Sequence, residues 1–233
     1  MAIDVNEVVR HVDAVRTRIE RAGGAGRVRL VAVTKGFGPE AARAALAAGV
    51  DDIGESYLQE MQQKIDELSG DRHQPRWHAI GRLQRNKVRL VAPRVHLWHS
   101  VDRRELGAEI ARRQPGAAVL AQVNVSGEAQ KGGCAPDSTA ALVDELRGLG
   151  LEVRGLMTIG PTAEAEAARP GFRRLAGLAR QLGLTELSMG MSDDLEVAVE
   201  EGATMVRIGR SLFGDRPAHP PRARRAQPGD PGH

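Results

Sequence analysis

The sequence predicts a single (β/α)8 TIM-type barrel with an N-terminal helix and a disordered C-terminal tail. Three observations predict it. Short apolar runs alternate with helical segments along the chain, and such alternation builds parallel βαβ units. The runs number eight, which suits a closed barrel. No G-x-G-x-x-G follows the first strand, which weakens the main alternative, a doubly wound open sheet holding a dinucleotide.

The elements follow in order. Residues 4–22 read as a helix, because Val5, Val8, Val9, Val12, Val15 and Ile19 recur at spacings of three and four on one face. Gly23 and Gly24 end it. Strand one is 28–33, and the helix at 39–48 opens with Pro and closes at Gly49. Strand two, 52–54, precedes a helix at 57–68, and strand three, 76–81, precedes a short helix at 84–91. Strand four, 95–101, is followed by a helix at 102–113. Strand five, 117–125, is Val-rich and leads through a loop at 127–133 to a helix at 136–149. Strand six (151–159), a helix at 171–182, strand seven (186–189), a helix at 193–201 and strand eight (204–208) complete the barrel. Residues 1–216 form the barrel domain. Residues 217–233 hold five prolines and no periodicity, the composition of a disordered tail.

Composition narrows the function classes. The formal charge is +3, and 217–233 alone carries Arg222, Arg224 and Arg225 against Asp230. The barrel itself is therefore near neutral and lacks the basic body of a nucleic-acid binder. Cys134 is the single cysteine, so there is no internal disulfide and no Cys-rich metal site. No apolar stretch has the length of a membrane span, and the N-terminus has no signal-peptide core. These features suit a cytoplasmic protein, taken here as a monomer.

A (β/α)8 barrel does its chemistry at the C-terminal ends of its strands. Strand one ends in Thr34-Lys35-Gly36, and a desolvated lysine at a barrel mouth can present a free amine to an aldehyde. A solvent-facing loop lysine is the bland alternative. The turns Ser188-Met189-Gly190-Met191-Ser192 and Arg207-Ile208-Gly209-Arg210-Ser211 follow strands seven and eight, where barrels often bind phosphate. Ser192 reads as the N-cap of the following helix. Arg207 can fork onto phosphate oxygens. Two ordinary helix starts are the alternative. His78 and His99 show no metal-ligand spacing and read as packed or hydrogen-bonded residues near the mouth. No G-x-S-x-G elbow supports a serine hydrolase, and Cys134 reads as an incidental thiol.

Six strings run in one order along the chain: 31–35, 54–60, 77–87, 156–159, 187–194 and 206–214. Together they resemble the pyridoxal phosphate homeostasis proteins, relatives of the barrel domain of alanine racemase. Ser188-Met189-Gly190-Met191-Ser192-Asp193-Asp194 is the most specific of them. The resemblance implies that Lys35 holds pyridoxal 5'-phosphate as a Schiff base, and that Ser188, Met189, Gly190, Met191, Ser192, Arg207 and Gly209 surround its phosphate. Ser56 stands where the family usually has Asn, near the cofactor ring. Arg82, Arg85 and Arg210 also depart from the pattern. The implied role is a carrier or buffer of the cofactor, with apo-enzymes as recipients, no metal and no catalytic residues of its own. The alternative is a racemase-like enzyme of low activity. Racemisation needs a second acid or base on the opposite face, which racemases draw from a further domain; the single tyrosine here, Tyr57, sits at the start of a barrel helix.

Overall fold

The strands close on themselves. In the computed structural model, which describes residues 3–128, 130–161 and 164–215, eight parallel strands run in the order β1 to β8 and β8 returns to pair with β1. They are β1 (Arg29–Val33), β2 (Asp52–Glu55), β3 (Arg76–Ala79), β4 (Val95–Val101), β5 (Ala118–Gln122), β6 (Glu152–Met157), β7 (Glu186–Ser188) and β8 (Met205–Ile208). The closing register places Val31 opposite Arg207 and Ala32 opposite Ile208. The tail at 217–233 and the domain boundary at 216 lie outside the described residues.

Helix α1 (Val5–Arg21) buries Val8, Val12, Val15 and Ile19. Asp4 caps it, accepting a hydrogen bond from the Asn6 N–H at 2.9 Å. The helix covers the outside of the barrel near α2 (Pro39–Ala47), α7 (Leu195–Glu200) and α8 (Arg210–Phe213). The others are α3 (Leu58–Leu68), α4 (Arg104–Arg113), α5 (Thr139–Gly148) and α6 (Arg169–Gln181). After β3 the connection is a 3-10 turn at Arg85–Leu90 in place of an α-helix. The short α8, absent from the sequence reading, follows β8 directly.

Strand residues alternate between two packing layers. One side of each strand meets the helices: Ala32, Ile53, Trp77, Ala79, Trp98, Val119 and Leu156 belong to a continuous apolar shell with the helix faces. The other side fills the barrel with a smaller apolar cluster of Val31, Leu97, Ala118, Leu120, Met157 and Met205. Polar side chains share this buried space: Asp52, His78, His99, Ser188 and Arg207 are all less than a tenth exposed.

One boundary differs from the sequence reading in a way that touches the site. Ser192 is not an N-cap: α7 begins at Leu195 and Asp194 occupies its cap position. The Asp194 N–H bonds back to the Met191 carbonyl, and Asp194 Oδ1 accepts from the Met191 N–H at 2.6 Å. That turn uses up residues 191–194 before the first helical bond, from the Ala198 N–H to the Asp194 carbonyl, can form. The α6 helix starts at Arg169, with Pro near its first position, rather than at Gly171.

Candidate functional site

At the C-terminal mouth a cavity of about 620 Å³ opens between the loops after several strands, within the usual range for a small-molecule site. Lys35, Ser56, Met191, Ser192, Arg207 and Gly209 line it. The mouth thus gathers six of the nine sequence-predicted residues from β1, β2, β7 and β8. Ser188 and Met189 are instead fully buried. Ser188 sits behind Arg207, accepting from its Nη1 at 2.8 Å, and Met189 packs into the apolar shell. Gly190 has φ 94°, and a Cβ there would lie 2.5 Å from that of Ala198, so its role is to let the chain turn tightly over α7.

Lys35 is held from both sides through its backbone. The preceding carbonyl, of Thr34, accepts from the Phe37 N–H at 3.1 Å and from Lys64 Nζ at 2.7 Å. The following amide, of Gly36, donates to Glu60 Oε2 at 3.0 Å. Gly36 has φ 79°, a left-handed conformation that a side chain would resist. Lys64 is buried on α3 and also donates to Glu55, whose Oε1 accepts from Thr34 Oγ1 at 2.7 Å. Burial pushes the Glu55 carboxyl up against the pull of Lys64. Sequence reasoning reached Thr34 and Glu55 at the ends of their strands but passed over Lys64, which joins them. The signal was there: Lys64 falls on the same helical face as Leu58, Met61, Ile65 and Leu68, all buried.

Gly81, in the loop after β3, also lines the cavity. A Cβ on it would lie 2.2 Å from the Ser56 carbonyl oxygen, so only glycine lets these two backbones touch. Arg207 is buried, and its Nη2 donates to the Thr158 carbonyl at 2.8 Å. Burial lowers its pKa to about 10, against the attraction of Asp194; at neutral pH it remains a cation. The lining carries Lys35, Arg82, Lys131, Arg207 and Arg210 against the single carboxylate of Asp193, itself bridged to Arg210. Such a lining attracts an anion. Among the described residues no group of three or more His, Cys, Asp or Glu side chains could hold a metal ion.

Behind Arg207 the barrel interior carries a chain of contacts between polar groups. His99 Nδ1 is 2.8 Å from Ser188 Oγ, His78 Nδ1 is 2.8 Å from His99 Nε2, and His78 Nε2 is 2.8 Å from Asp52 Oδ1. The two histidines therefore lie inside the barrel rather than near its mouth. Burial lowers the pKa of both. Cys134 is half-buried with its thiol pushed up by burial, which fits an inert thiol.

Comparison with known proteins gives this geometry a relative. Residues 3–217 match the family model for the alanine racemase N-terminal domain. The pyridoxal phosphate homeostasis protein of Pseudomonas aeruginosa is 45% identical over 225 residues, covering 91% of this chain and 97% of that one. The chain belongs to the pyridoxal phosphate homeostasis protein family. The structure of PipY from Synechococcus elongatus PCC7942 with PLP bound superposes with a TM-score of 0.76 at 32% identity, covering 89% of this chain and all of that one. Alanine racemase from Corynebacterium glutamicum shares the fold at a TM-score of 0.71 and 16% identity, and this chain spans 62% of it. The family's homeostasis proteins carry no enzyme name. Among the described residues no helix is long and apolar enough to cross a membrane.

Proposed function

We propose that this chain binds pyridoxal 5'-phosphate at the barrel mouth, anchored on Lys35, and stores and hands on the cofactor without turning over a substrate. One observation carries the proposal: the cavity brings Lys35 at the end of β1 together with the loops after β7 and β8 in a cationic lining. When bound, the group supplies an aldehyde that joins a primary amine with loss of water. Lys35 provides that amine, and the clamps on Thr34 and Gly36 fix where its side chain leaves the backbone.

The residues present fit the group. Gly209 brings the β8 loop close to β1, where a Cβ would sit 3.1 Å from the Val33 carbonyl oxygen, and with Ser192 and Arg210 it supplies the phosphate end. Arg207 has more N–H groups than its contacts to Ser188 and Thr158 use, so it can still donate into the cavity. Ser56 borders the ring. Storage rather than turnover is supported by the choice of acid or base at the mouth. Tyr57 is 59% exposed, and Lys131 is tied to Glu128 at 2.6 Å and to the Gly160 carbonyl at 2.5 Å. Neither is positioned for efficient proton transfer across a bound substrate. The chain acts in this proposal as a cytoplasmic monomer whose recipients are apo-enzymes that use the same cofactor.

Titration of the cofactor-free protein with pyridoxal phosphate tests the proposal. A visible absorbance band should grow to one equivalent, and Lys35→Ala should lose the band while retaining weak phosphate affinity. Incubation of the loaded protein with L-alanine should yield no racemisation above that of free cofactor. An unchanged band in Lys35→Ala would remove the anchor, and racemisation at rates of order 1 s⁻¹ or more, ordinary for an enzyme, would replace storage by catalysis.

A further inference from the structure

The contacts behind Arg207 run the depth of the barrel. They begin at Asp52, the first residue of β2 and so at the face opposite the mouth. Their hydrogen-bond polarity can be worked out from the two ends. Arg207 can only donate, and an ionised carboxylate can only accept. Burial alone would raise the Asp52 carboxyl, but hydrogen bonds from Arg76 and His78 hold it well below the usual range. His78 must therefore carry its proton on Nε2. A neutral His78 then accepts at Nδ1, which obliges His99 to donate from Nε2 and accept at Nδ1. Ser188 must give its O–H to His99, and this turns its lone pairs toward Arg207 Nη1. With the opposite polarity, His99 and Arg207 would both donate to Ser188, and the hydroxyl proton would have no recorded acceptor among the described residues. A buried, unsatisfied hydroxyl is costly, so one direction is selected along the whole row.

We propose that Asp52 is a positioning residue for the cofactor pocket: through His78, His99 and Ser188 it sets the tautomers that hold the Arg207 guanidinium in place beneath the mouth. The inference rests on the cofactor reading above only for what occupies the mouth; the relay itself is a property of the protein. Arg76 pairs with the same carboxylate, with Nε at 2.9 Å from Oδ1 and Nη2 at 2.8 Å from Oδ2. It supports Asp52 from the half-exposed side and is not a link of the row.

Two-bond ¹H–¹⁵N correlation spectra read histidine tautomers directly. In the wild type, His78 and His99 should both be single Nε2–H forms. In Asp52→Leu the His99 signal, two hydrogen bonds away, should change to a mixture and the Arg207 guanidinium signals should shift. The dissociation constant for pyridoxal phosphate should rise up to about tenfold, the size of one lost hydrogen bond. Arg76→Lys, which keeps the charge beside Asp52, should leave His99 in its single form and the dissociation constant within about twofold, well under the tenfold step of 1.4 kcal/mol. His78→Phe cuts the row one link further in and should reproduce the weakened binding, which keeps the test open if Asp52→Leu does not fold. An Nδ1–H form of His99 in the wild type would overturn the inference. So would unchanged His99 and Arg207 signals in Asp52→Leu, or equal losses in Asp52→Leu and Arg76→Lys. If the wild type takes up no pyridoxal phosphate while the tautomers and Arg207 respond as stated, the cofactor reading falls and the relay stands.

Discussion

In Lys64→Met the buried ammonium that joins Glu55 to the Thr34 carbonyl is gone, while the Glu55 carboxyl stays. Lys64 is 3% exposed and Glu55 fully buried, and Glu55 Oε2 already has no hydrogen-bond partner. Removing one member of a buried pair typically costs about 3–5 kcal/mol, because the remaining charge is stranded. For a chain of this length each kcal/mol lowers the melting temperature by about 2–4 °C, so the expected drop is roughly 6–20 °C. The pH dependence has a definite sign. Burial already places the folded pKa of Glu55 above its unfolded value, and without Lys64 it moves further up. The folded variant then holds a proton that the unfolded chain releases. The deficit relative to the wild type is therefore smallest at acid pH and grows only as pH rises from the folded pKa of Glu55 in the wild type toward its higher folded pKa in the variant. The double variant Lys64→Met/Glu55→Leu removes both charges and should recover most of the loss. Urea unfolding of the cofactor-free proteins at several pH values measures all three. A loss under about 1 kcal/mol in the single variant, the scale of an exposed pair, would refute the reasoning. So would a double variant no better than the single one.

Three further outcomes follow from the same geometry. Gly81→Ala puts a Cβ against the Ser56 backbone; an overpacking cost of about 1–3 kcal/mol and weakened pyridoxal phosphate uptake are expected, and wild-type uptake would show that this wall can yield. Burial keeps His78 and His99 below their unfolded pKa, so the unfolded chain gains protons first as pH falls below about 6.5, and stability drops. His99→Gln should flatten that fall by up to about 1.4 kcal/mol per pH unit, and an unchanged slope in pH-dependent unfolding would mean that His99 is not buried neutral. Phe172→Ala, fully buried in the first turn of α6, should cost about 3–5 kcal/mol without altering cofactor affinity in the folded protein; a parallel loss of affinity in titration would tie the α6 packing to the mouth.

The barrel was legible because its signals are local. β1 and β5 carry short runs of β-branched and small apolar residues, and each of α1, α2 and α3 repeats its apolar residues at helical spacing. Strand ends were less legible, since hydrophobicity outlasts the ladder: β5 stops at Gln122 although Val123 and Val125 continue the apolar run. The start of α7 was misread because Ser192, Asp193 and Asp194 all suit a cap, and the choice is made by the turn that Asp194 closes with Met191. The mouth residues at the ends of β1, β2 and β8 could be found because the fold places chemistry there. The interior row could not. Strands in a closed parallel barrel are buried on both faces, so alternation does not reveal that Asp52, His78 and His99 turn inward to meet. Lys64 looked like one more charged helix residue, although its position on the apolar stripe of α3 pointed inside.

The central claim is that Lys35 anchors pyridoxal phosphate in this mouth. Borohydride reduction of the loaded protein, followed by proteolysis and peptide mass mapping, tests it most directly. The account predicts one pyridoxyl group per chain, on the peptide containing Lys35. A protein that stays colourless and unlabelled, or a label carried by Lys131 or another lysine with Lys35 unmodified, would contradict it.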